Sequence, residues 1–246
     1  MSAGQRQVHP QELSKEQLEL IERFVTTYNT IDKQMRKILQ CDRMLGFVLV
    51  VKEYGKLGRL RQDDVDSLIA IGKLRNVLIH DRTQPNCYLA VPAPFVVAQL
   101  EKIGQCVVNP PLVGKTFRKG VETISPEDSL ASILKSIAAR SFSQFPIYDG
   151  QTFKGLLTEN GITRWLSQHV TKECSLIELE CVKVRQVVRE EEKRVNLEFL
   201  GKERTVEEAR TLFAEHELLE AILITQNGAK TEPLLGIITR WDIIRE

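Results

Sequence analysis

The sequence predicts an α+β protein of several domains, in which an N-terminal all-α helical bundle precedes a pseudo-symmetric pair of βαββα modules. Two observations predict this arrangement. Before the boundary at Asn109-Pro110-Pro111, apolar residues recur at helical spacing, with few runs that are typical of strands. After that boundary, one pattern of strand, helix, hairpin and helix occurs twice. We therefore expect a helical domain over residues 1–108 and two modules over residues 112–171 and 182–246.

Four helices are expected in the bundle. Ser14 and Gln17 form a capping-box pattern ahead of a long first helix, which is either continuous or broken near Tyr28. The carboxylates of Asp63 and Asp64 suit the start of the third helix, because anions are favoured at a helix N-terminus. The expected helices cover residues 14–40, 42–54, 63–80 and 95–104.

The modules are identified by an internal repeat. Residues 129–133 align with residues 205–209, and residues 145–148 align with residues 221–224 at the same spacing. Gly155-Leu156-Leu157-Thr158 aligns with Gly236-Ile237-Ile238-Thr239 at a slightly larger spacing, because the hairpin loop at residues 226–233 is longer. Extra residues in a surface loop cost little free energy. The chain therefore carries two copies of one module.

The composition is that of an ordinary globular protein. The 246 residues have a hydrophobic content of 42%, a charged content of 27% and a formal net charge of +1. No strong electrostatic field therefore draws the chain to DNA or to a membrane surface. The apolar run at residues 45–51 is far shorter than the roughly 20 residues of a membrane span. The five cysteines are scattered, without the spacing of a metal site. We expect a cytoplasmic protein with no membrane partner and no bound metal.

The repeated module resembles the CBS (cystathionine beta-synthase) domain. The resemblance covers about residues 112–246 and rests on "TISPEDSLASIL", "FPIYD" and the closing "GIITRWDI". Tandem pairs of this family leave two clefts that commonly bind adenine nucleosides or nucleotides, and they are usually regulatory rather than catalytic. The resemblance implies AMP, ADP or ATP as a regulatory ligand, and it implies assembly into a homodimer.

The resemblance assigns the family's ribose-binding threonine and aspartate to Thr239 and Asp242. A carboxylate can accept hydrogen bonds from both ribose hydroxyls, and a threonine can fix the sugar or the phosphate. In the first copy Thr158 matches the threonine, but Gly161 replaces the aspartate. We therefore expect one competent nucleotide site, built around Thr239 and Asp242, and we expect the other cleft to be weak, empty or specialised.

Four further candidate residues have two interpretations each, and a fifth, Thr123, has a less defined role. Arg240 is assigned to a phosphate, or else it is an ordinary surface charge. Phe145, Pro146 and the aligned Ile222 are assigned to the base, or else they are core strand residues. Thr123 lies where the entering strand approaches the cleft. Both tryptophans, Trp165 and Trp241, are expected to pack rather than to stack on a base.

The helical half contains a second candidate site. Its third helix ends in Arg75-Asn76-x-x-x-His80, which resembles the signature of HEPN (higher eukaryotes and prokaryotes nucleotide-binding) domains over about residues 14–104. Many members of that family are metal-independent endoribonucleases. In such an enzyme His80 would be the general acid or base, Arg75 would stabilise the phosphoryl charge, and Asn76 would orient either group. In the structural alternative Arg75 pairs with a carboxylate such as Asp42 or Glu53, and His80 caps the helix.

Three functions are consistent with these observations. The first is a ligand-responsive regulatory protein, in which the CBS pair binds an adenine nucleotide and the helical domain conveys the change to a protein partner. The second is a nucleotide-regulated endoribonuclease that acts on RNA through Arg75, Asn76 and His80. The third is a dimeric scaffold that binds no ligand.

Overall fold

The structure divides the chain into two compact units, Met1–Pro110 and Pro111–Glu246. It is a computed structural model that describes residues 13–42, 44–80, 88, 90–118, 120–140, 142–170, 177–188 and 196–245, with the backbone alone for Ile79, His80 and Val170. Each unit has its own hydrophobic core.

Four helices form the described part of the first unit. Helix α1 is continuous, so the break that was considered near Tyr28 does not occur. Its capping box forms as predicted: the Ser14 side chain accepts a hydrogen bond from the N–H of Gln17, and the Gln17 side chain accepts one from the N–H of Ser14. The helices are α1 Lys15–Leu39, α2 Phe47–Lys56, α3 Gln62–His80 and α4 Pro94–Val108.

Helix α2 begins later than the sequence predicted. The expected start was at residue 42, but the helix begins at Phe47. The carbonyl of Asp42 accepts a hydrogen bond from the N–H of Leu45, which turns the chain. Gly46 then takes the extended backbone conformation of an N-cap residue.

Helix α4 continues beyond its predicted end. The sequence placed the end at Gly104, whereas the helix runs to Val108. A Cβ atom at position 104 would lie 3.2 Å from Cγ2 of Thr27 on α1. Gly104 therefore permits a close approach of the two helices and does not end the second one.

The first module of the second unit contains one hairpin. Strands β1 and β2 pair antiparallel, and Gly150 has a φ of +60° in the turn between them. The entering strand is reduced to an isolated parallel bridge between Ile124 and Ile147. The elements of this module are α5 Val113–Thr116, α6 Leu130–Arg140, β1 Gln144–Asp149, β2 Thr152–Thr158 and α7 Glu159–Val170.

The second module has a full three-stranded sheet, in the order β3-β4-β5. Strand β3 is parallel to β4, and β4 is antiparallel to β5. The longer loop between β4 and β5 is organised by Glu232, whose carboxylate accepts hydrogen bonds from Asn227 and from the N–H of Ala229. These bonds hold the pKa of Glu232 down to about 2. The elements are α8 Val184–Val188, β3 Leu197–Gly201, α9 Val206–Glu215, β4 Ala221–Thr225, β5 Gly236–Thr239 and α10 Arg240–Arg245.

The two modules exchange short segments. Val113 and Phe117, at the start of the first module, are buried in the core of the second module. The N–H of Val113 donates a hydrogen bond to the carbonyl of Arg204 at 2.8 Å. In the other direction, Val184 and Val187 of α8 are buried in the core of the first module. The segment at the start of the first module therefore completes the core of the second module, and the segment at the start of the second module completes the core of the first.

Candidate functional site

Each module closes with a threonine at the start of its last helix. The Thr158 side chain is buried, and its hydroxyl accepts a hydrogen bond from the N–H of Gly161 at 3.0 Å. Thr239 occupies the aligned position, and its hydroxyl oxygen lies 3.4 Å from the N–H nitrogen of Asp242. The aligned threonines thus make the same contact three residues ahead, which supports the equivalence of Gly161 and Asp242.

The Asp242 carboxylate returns to Thr239. Its Oδ2 accepts hydrogen bonds from the N–H and from the hydroxyl of Thr239, both at 2.8 Å. This arrangement is a capping box, which fixes the orientation of the carboxylate. A carboxylate can accept about four hydrogen bonds. Its capacity therefore exceeds the two bonds that Thr239 donates.

Thr239 and Asp242 line a cleft of about 390 Å³, which we call the Asp242 cleft. The second module also contributes Ile237, Trp241 and Arg245 to its lining. The other lining residues come from the first module and are Gly120, Val121, Glu122, Arg140, Phe142, Ser143 and Gln144.

The Asp242 cleft combines charged groups with an aromatic surface. Arg140 forms an ion pair with Glu122, with 2.5 Å between Nη1 and Oε2. Arg245 adds a second guanidinium to the lining. The side chain of Trp241 is 68% exposed. A ligand in this cleft therefore meets the Asp242 carboxylate, an indole ring, the Arg140–Glu122 ion pair and the Arg245 guanidinium.

A second cleft, of about 340 Å³, is the counterpart of the first, and we call it the Asn160 cleft. In the repeat alignment Asn160 corresponds to Trp241, Arg164 to Arg245, and residues 218–220 to residues 142–144. The lining consists of Gln144, Asn160, Arg164, Asn196, Glu217, Leu218, Leu219, Glu220, Thr239, Arg240 and Trp241. Gln144, Thr239 and Trp241 line both clefts.

Arg240 binds backbone carbonyl groups. Its guanidinium donates hydrogen bonds to the carbonyls of Phe213, His216, Glu217 and Leu219, at 2.7 to 3.1 Å. It also lies over the Phe213 ring, 5.4 Å from the centroid. These contacts favour a structural role in the second module over a contact with a phosphate.

The other residues assigned to nucleotide binding do not belong to the described lining of either cleft. Phe145, Pro146 and Ile222 are buried within β1 and β4, as in the alternative that makes them core strand residues. Thr158 is a buried capping residue. Thr123 is exposed next to the bridge at residue 124.

Several residues that line the clefts were not predicted from the sequence, among them Arg140, Gln144, Glu220, Trp241 and Arg245. The prediction that both tryptophans pack is right for Trp165, which is 5% exposed, and wrong for Trp241. The repeat alignment held a signal, because Trp241 aligns with Asn160, and a polar residue indicates a surface position. Gln144 is the first residue of β1, and Glu220 immediately precedes β4, so each lies at the edge of the buried segment that the repeat aligns.

The helical unit contains a cavity of about 520 Å³, which is lined by Arg75 and Asn76 together with Lys73. The Arg75 guanidinium lies 5.5 Å from the centroid of the Tyr28 ring. Burial raises the pKa of Tyr28 to about 12. The His80 side chain lies outside the described part of the structure. The assignment of His80 as the general acid or base beside Arg75 therefore stays a prediction.

Neither a metal site nor a membrane-spanning helix is found among the described residues. No group of three or more His, Cys, Asp or Glu side chains among them is placed to hold a metal ion. None of the helices in those ranges is long and apolar enough to cross a membrane.

Comparison with known proteins gives matches in the second unit. The CBS domain family matches residues 113–168 and 185–246. A similar structure is the CBS domain of a CBS domain-containing membrane protein from Sphaerobacter thermophilus, with 16% identity, a TM-score of 0.44, and coverage of 61% of this chain and 96% of that one. Another is the CBS-domain containing protein ATU1752 from Agrobacterium tumefaciens, with 15% identity, a TM-score of 0.42, and coverage of 55% and 96%.

A third similar structure is the CBS domain pair of protein MJ0100 in complex with 5-methylthioadenosine and S-adenosyl-L-methionine. It has 18% identity and a TM-score of 0.40, and the match covers 55% of this chain and 94% of that one. No curated protein sequence matches this chain.

Proposed function

The chain contains a tandem pair of CBS domains, and such pairs are generally regulatory modules that bind nucleotides; we therefore propose that it is a ligand-responsive regulatory protein that binds an adenine nucleotide. The ligand, which is AMP, ADP, ATP or a related compound, binds in the Asp242 cleft. The volume of that cleft, about 390 Å³, lies in the usual range of small-molecule sites. The observation that carries the proposal is the Asp242 carboxylate, which Thr239 holds at the cleft.

The ribose is the part of the ligand that Asp242 recognises. Two neighbouring hydroxyl groups are hydrogen-bond donors, and an ionised carboxylate is an acceptor only. The Oδ2 bonds from Thr239 orient the carboxylate before any ligand arrives. Preorganisation of this kind lowers the entropy that is lost on binding.

The base and the phosphate have partners in the same cleft. The exposed ring of Trp241 offers a surface on which a purine can stack. Arg140 and Arg245 lie on the lining as partners for phosphate oxygens. In the Asn160 cleft Gly161 supplies no carboxylate, so we expect an adenine nucleotide to bind there more weakly.

The regulatory part of the proposal is a change in the helical unit. A ligand shifts a conformational equilibrium only if its affinity for the two states differs. We propose that occupancy of the Asp242 cleft changes the state of the helical domain, within a homodimer, and so changes its binding of a protein partner. Hydrogen exchange of helix α3 with and without AMP measures this coupling.

Calorimetric titration and thermal shift of the full chain test the binding site. With AMP, ADP, ATP and a cyclic dinucleotide as probes, we expect at least one to raise the melting temperature. Asp242→Asn retains an oxygen that can cap Thr239 but replaces the other oxygen by a donor. We expect this variant to bind about tenfold more weakly, as for the loss of one charge-assisted hydrogen bond.

The matched control is Asp149→Asn. Asp149 is an exposed carboxylate in the β1–β2 turn, outside the described lining of both clefts. The change leaves an Asn-Gly sequence, which suits the turn equally well. Equal stabilisation of the wild type and of Asp242→Asn would remove Asp242 from the site. Absence of stabilisation by all four probes would favour the scaffold that binds no ligand.

A second candidate function is the nucleotide-regulated, metal-independent endoribonuclease. Arg75 and Asn76, which the motif assigns to phosphate stabilisation and orientation, both line the cavity of the helical unit. Cleavage of RNA in the presence of a chelator, which is lost in Arg75→Ala and in His80→Ala, would support this function. Cleavage that survives both substitutions would exclude these residues from the mechanism.

A further inference from the structure

Glu220 places a carboxylate in the Asn160 cleft. Its Oε1 has a long contact of 3.5 Å with Nδ2 of Asn160. Its Oε2 is buried and has no hydrogen-bond partner among the described residues. A buried carboxylate oxygen without a donor is unfavourable, because it has lost its hydration. The terminal torsion of a glutamate is broad, so either oxygen can turn to a donor in the cleft.

Glu220 is the counterpart of Gln144 in the internal repeat. Each residue immediately precedes an aligned segment of the repeat, residues 145–148 for Gln144 and residues 221–224 for Glu220. The Gln144 amide carries one acceptor and one donor group, and its oxygen accepts a hydrogen bond from the Ser143 hydroxyl at 2.7 Å. An ionised carboxylate carries acceptors only. Gln144 lines both clefts, whereas Glu220 lines the Asn160 cleft and not the Asp242 cleft, so the Asn160 cleft differs by an added carboxylate at this repeat position.

This difference separates the two purine bases. The Watson–Crick edge of adenine has an amino donor beside a ring-nitrogen acceptor, which complements an amide such as that of Gln144. The same edge of guanine has a ring N–H beside an amino group, and these two donors complement the two oxygens of a carboxylate. Adenine would place its ring-nitrogen lone pair against the Glu220 carboxylate, which is repulsive.

We propose that the Asn160 cleft binds a guanine nucleotide, with the paired N–H donors of the base on the Glu220 carboxylate. The inference rests on the proposed function, since it takes the clefts of the CBS pair as nucleoside sites. Trp241 lines this cleft also and provides a stacking surface. Asn160 and Asn196 supply amide groups to the lining, where the first-module sequence lacks an aspartate at position 161.

Calorimetric titration of the full chain with GMP, IMP and AMP tests the assignment. IMP retains the ring N–H of guanine and lacks the amino group, so we expect it to bind the Asn160 cleft about tenfold more weakly than GMP. Glu220→Gln is nearly isosteric and keeps the fold. We expect this variant to bind GMP about tenfold more weakly, or weaker still. We also expect it to lose the preference for GMP over IMP. Glu215→Gln, an exposed carboxylate on α9 outside the described lining of both clefts, is the control and should bind GMP as the wild type does.

The outcomes separate this inference from the proposed function. Loss of GMP binding in Glu220→Gln, with AMP binding unchanged, supports both. GMP binding that depends on Glu220 in a chain that does not bind AMP supports the inference and contradicts the proposed function of the Asp242 cleft. Two results would overturn the inference. One is GMP binding that is lost in Asp242→Asn and retained in Glu220→Gln. The other is an equal affinity of the wild type for GMP and IMP.

Discussion

Arg240 holds the end of helix α9 in place. The carbonyl groups in the last turn of a helix lack intrahelical partners, and a cation is favoured there. The fork of the Arg240 guanidinium reaches the carbonyls of Phe213, His216 and Glu217, and it reaches Leu219 just beyond. A single ammonium group lacks this fixed, multiple geometry.

We therefore predict that Arg240→Lys destabilises the second unit by about 1.5 to 3 kcal/mol, the range for hydrogen bonds to a charged group. Arg245→Lys, an exposed substitution in the same helix, is the control, and it should change the free energy of unfolding by less than about 0.5 kcal/mol. Urea denaturation followed by circular dichroism gives both values. Equal stabilities of the two variants would contradict the role of Arg240.

Tyr28 makes the helical unit sensitive to alkaline pH. Burial raises its pKa to about 12, and this effect outweighs the opposing charge of Arg75. The folded pKa lies above the ordinary value of about 10. The contribution of the neutral phenol to stability is therefore fully present below pH 10 and is lost as the pH rises toward 12.

Spectrophotometric titration of the tyrosines checks this prediction. The wild type should show a component that ionises near pH 12, or that ionises abruptly as the helical unit unfolds in this range. Tyr28→Phe should reduce that component by the absorbance of one phenol, since burial also raises the pKa of Tyr148. Ionisation of all tyrosines near pH 10 in the folded wild type would refute it.

Single residues also show what the sequence could predict about the site. Thr239 and Asp242 form a local pattern, and the structure brings both to one cleft. The exposure of Trp241 depends on which side of α10 faces the core, where Ile243 is buried. The role of Gln144 depends on contacts between two modules that are far apart in the sequence. Such tertiary contacts leave no local pattern.

At the scale of elements, the capping boxes at the starts of α1 and α9 lie in different surroundings. Ser14 at the start of α1 is exposed. Thr205 at the start of α9 is 2% exposed, and its partner Glu208 is 4% exposed. The Glu208 carboxylate also forms an ion pair with Arg204 at 3.2 Å. Loss of the buried cap leaves groups in the interior that water cannot reach.

We therefore predict that Thr205→Ala destabilises its unit by about 2 kcal/mol and that Ser14→Ala destabilises its unit by about 0.5 to 1 kcal/mol. Scanning calorimetry measures both changes, and the two substitutions should act on different transitions because the residues belong to different units. The reverse order of the two effects would mean that burial does not set the strength of these caps.

Helices with a strong apolar spacing were the most predictable elements. The spacing and the cap of α1 are local, so the start of that helix was predicted correctly. The end of α4 was predicted wrongly, because the role of Gly104 is set by Thr27 on another helix. The entering strand of the first module is only a bridge at Ile124. Its extent depends on pairing with a distant segment rather than on its own residues.

For the whole second unit, the exchange of segments determines what can fold alone. Val113 is fully buried and Phe117 is 3% exposed, both within the core of the second module. A fragment of residues 111–246 contains both cores complete. A fragment of residues 118–246 lacks two core side chains, and such losses cost about 3 kcal/mol or more.

We predict that the fragment 111–246 unfolds cooperatively and that the fragment 118–246 is less stable by about 3 kcal/mol or more, or does not fold. Urea denaturation of both fragments, compared with the full chain, measures the difference. A fragment 118–246 that is as stable as 111–246 would mean that the exchanged segment contributes nothing to the core.

Trp241, Gln144 and Thr239 form part of the walls of both clefts. A side chain that two ligands touch has one position at a time, so each ligand sets the surroundings of the other. The factor by which AMP changes the affinity for GMP must then equal the factor by which GMP changes the affinity for AMP. Titration of each nucleotide in the presence and absence of the other gives both factors, and Trp241→Ala should bring them toward one.

When this coupling is strongly negative and both nucleotides exceed their dissociation constants, each excludes the other, and the response of the molecule then depends on the proportion of the two nucleotides. A duplicated module with two identical clefts would respond only to the concentration of one ligand. Positions 161 and 242 differ in the two modules, as do positions 144 and 220; with the two ligands that we propose, the pair would compare their concentrations under these conditions. Its output would stay constant when the whole nucleotide supply rises or falls together, and it would change when the balance between two purines shifts.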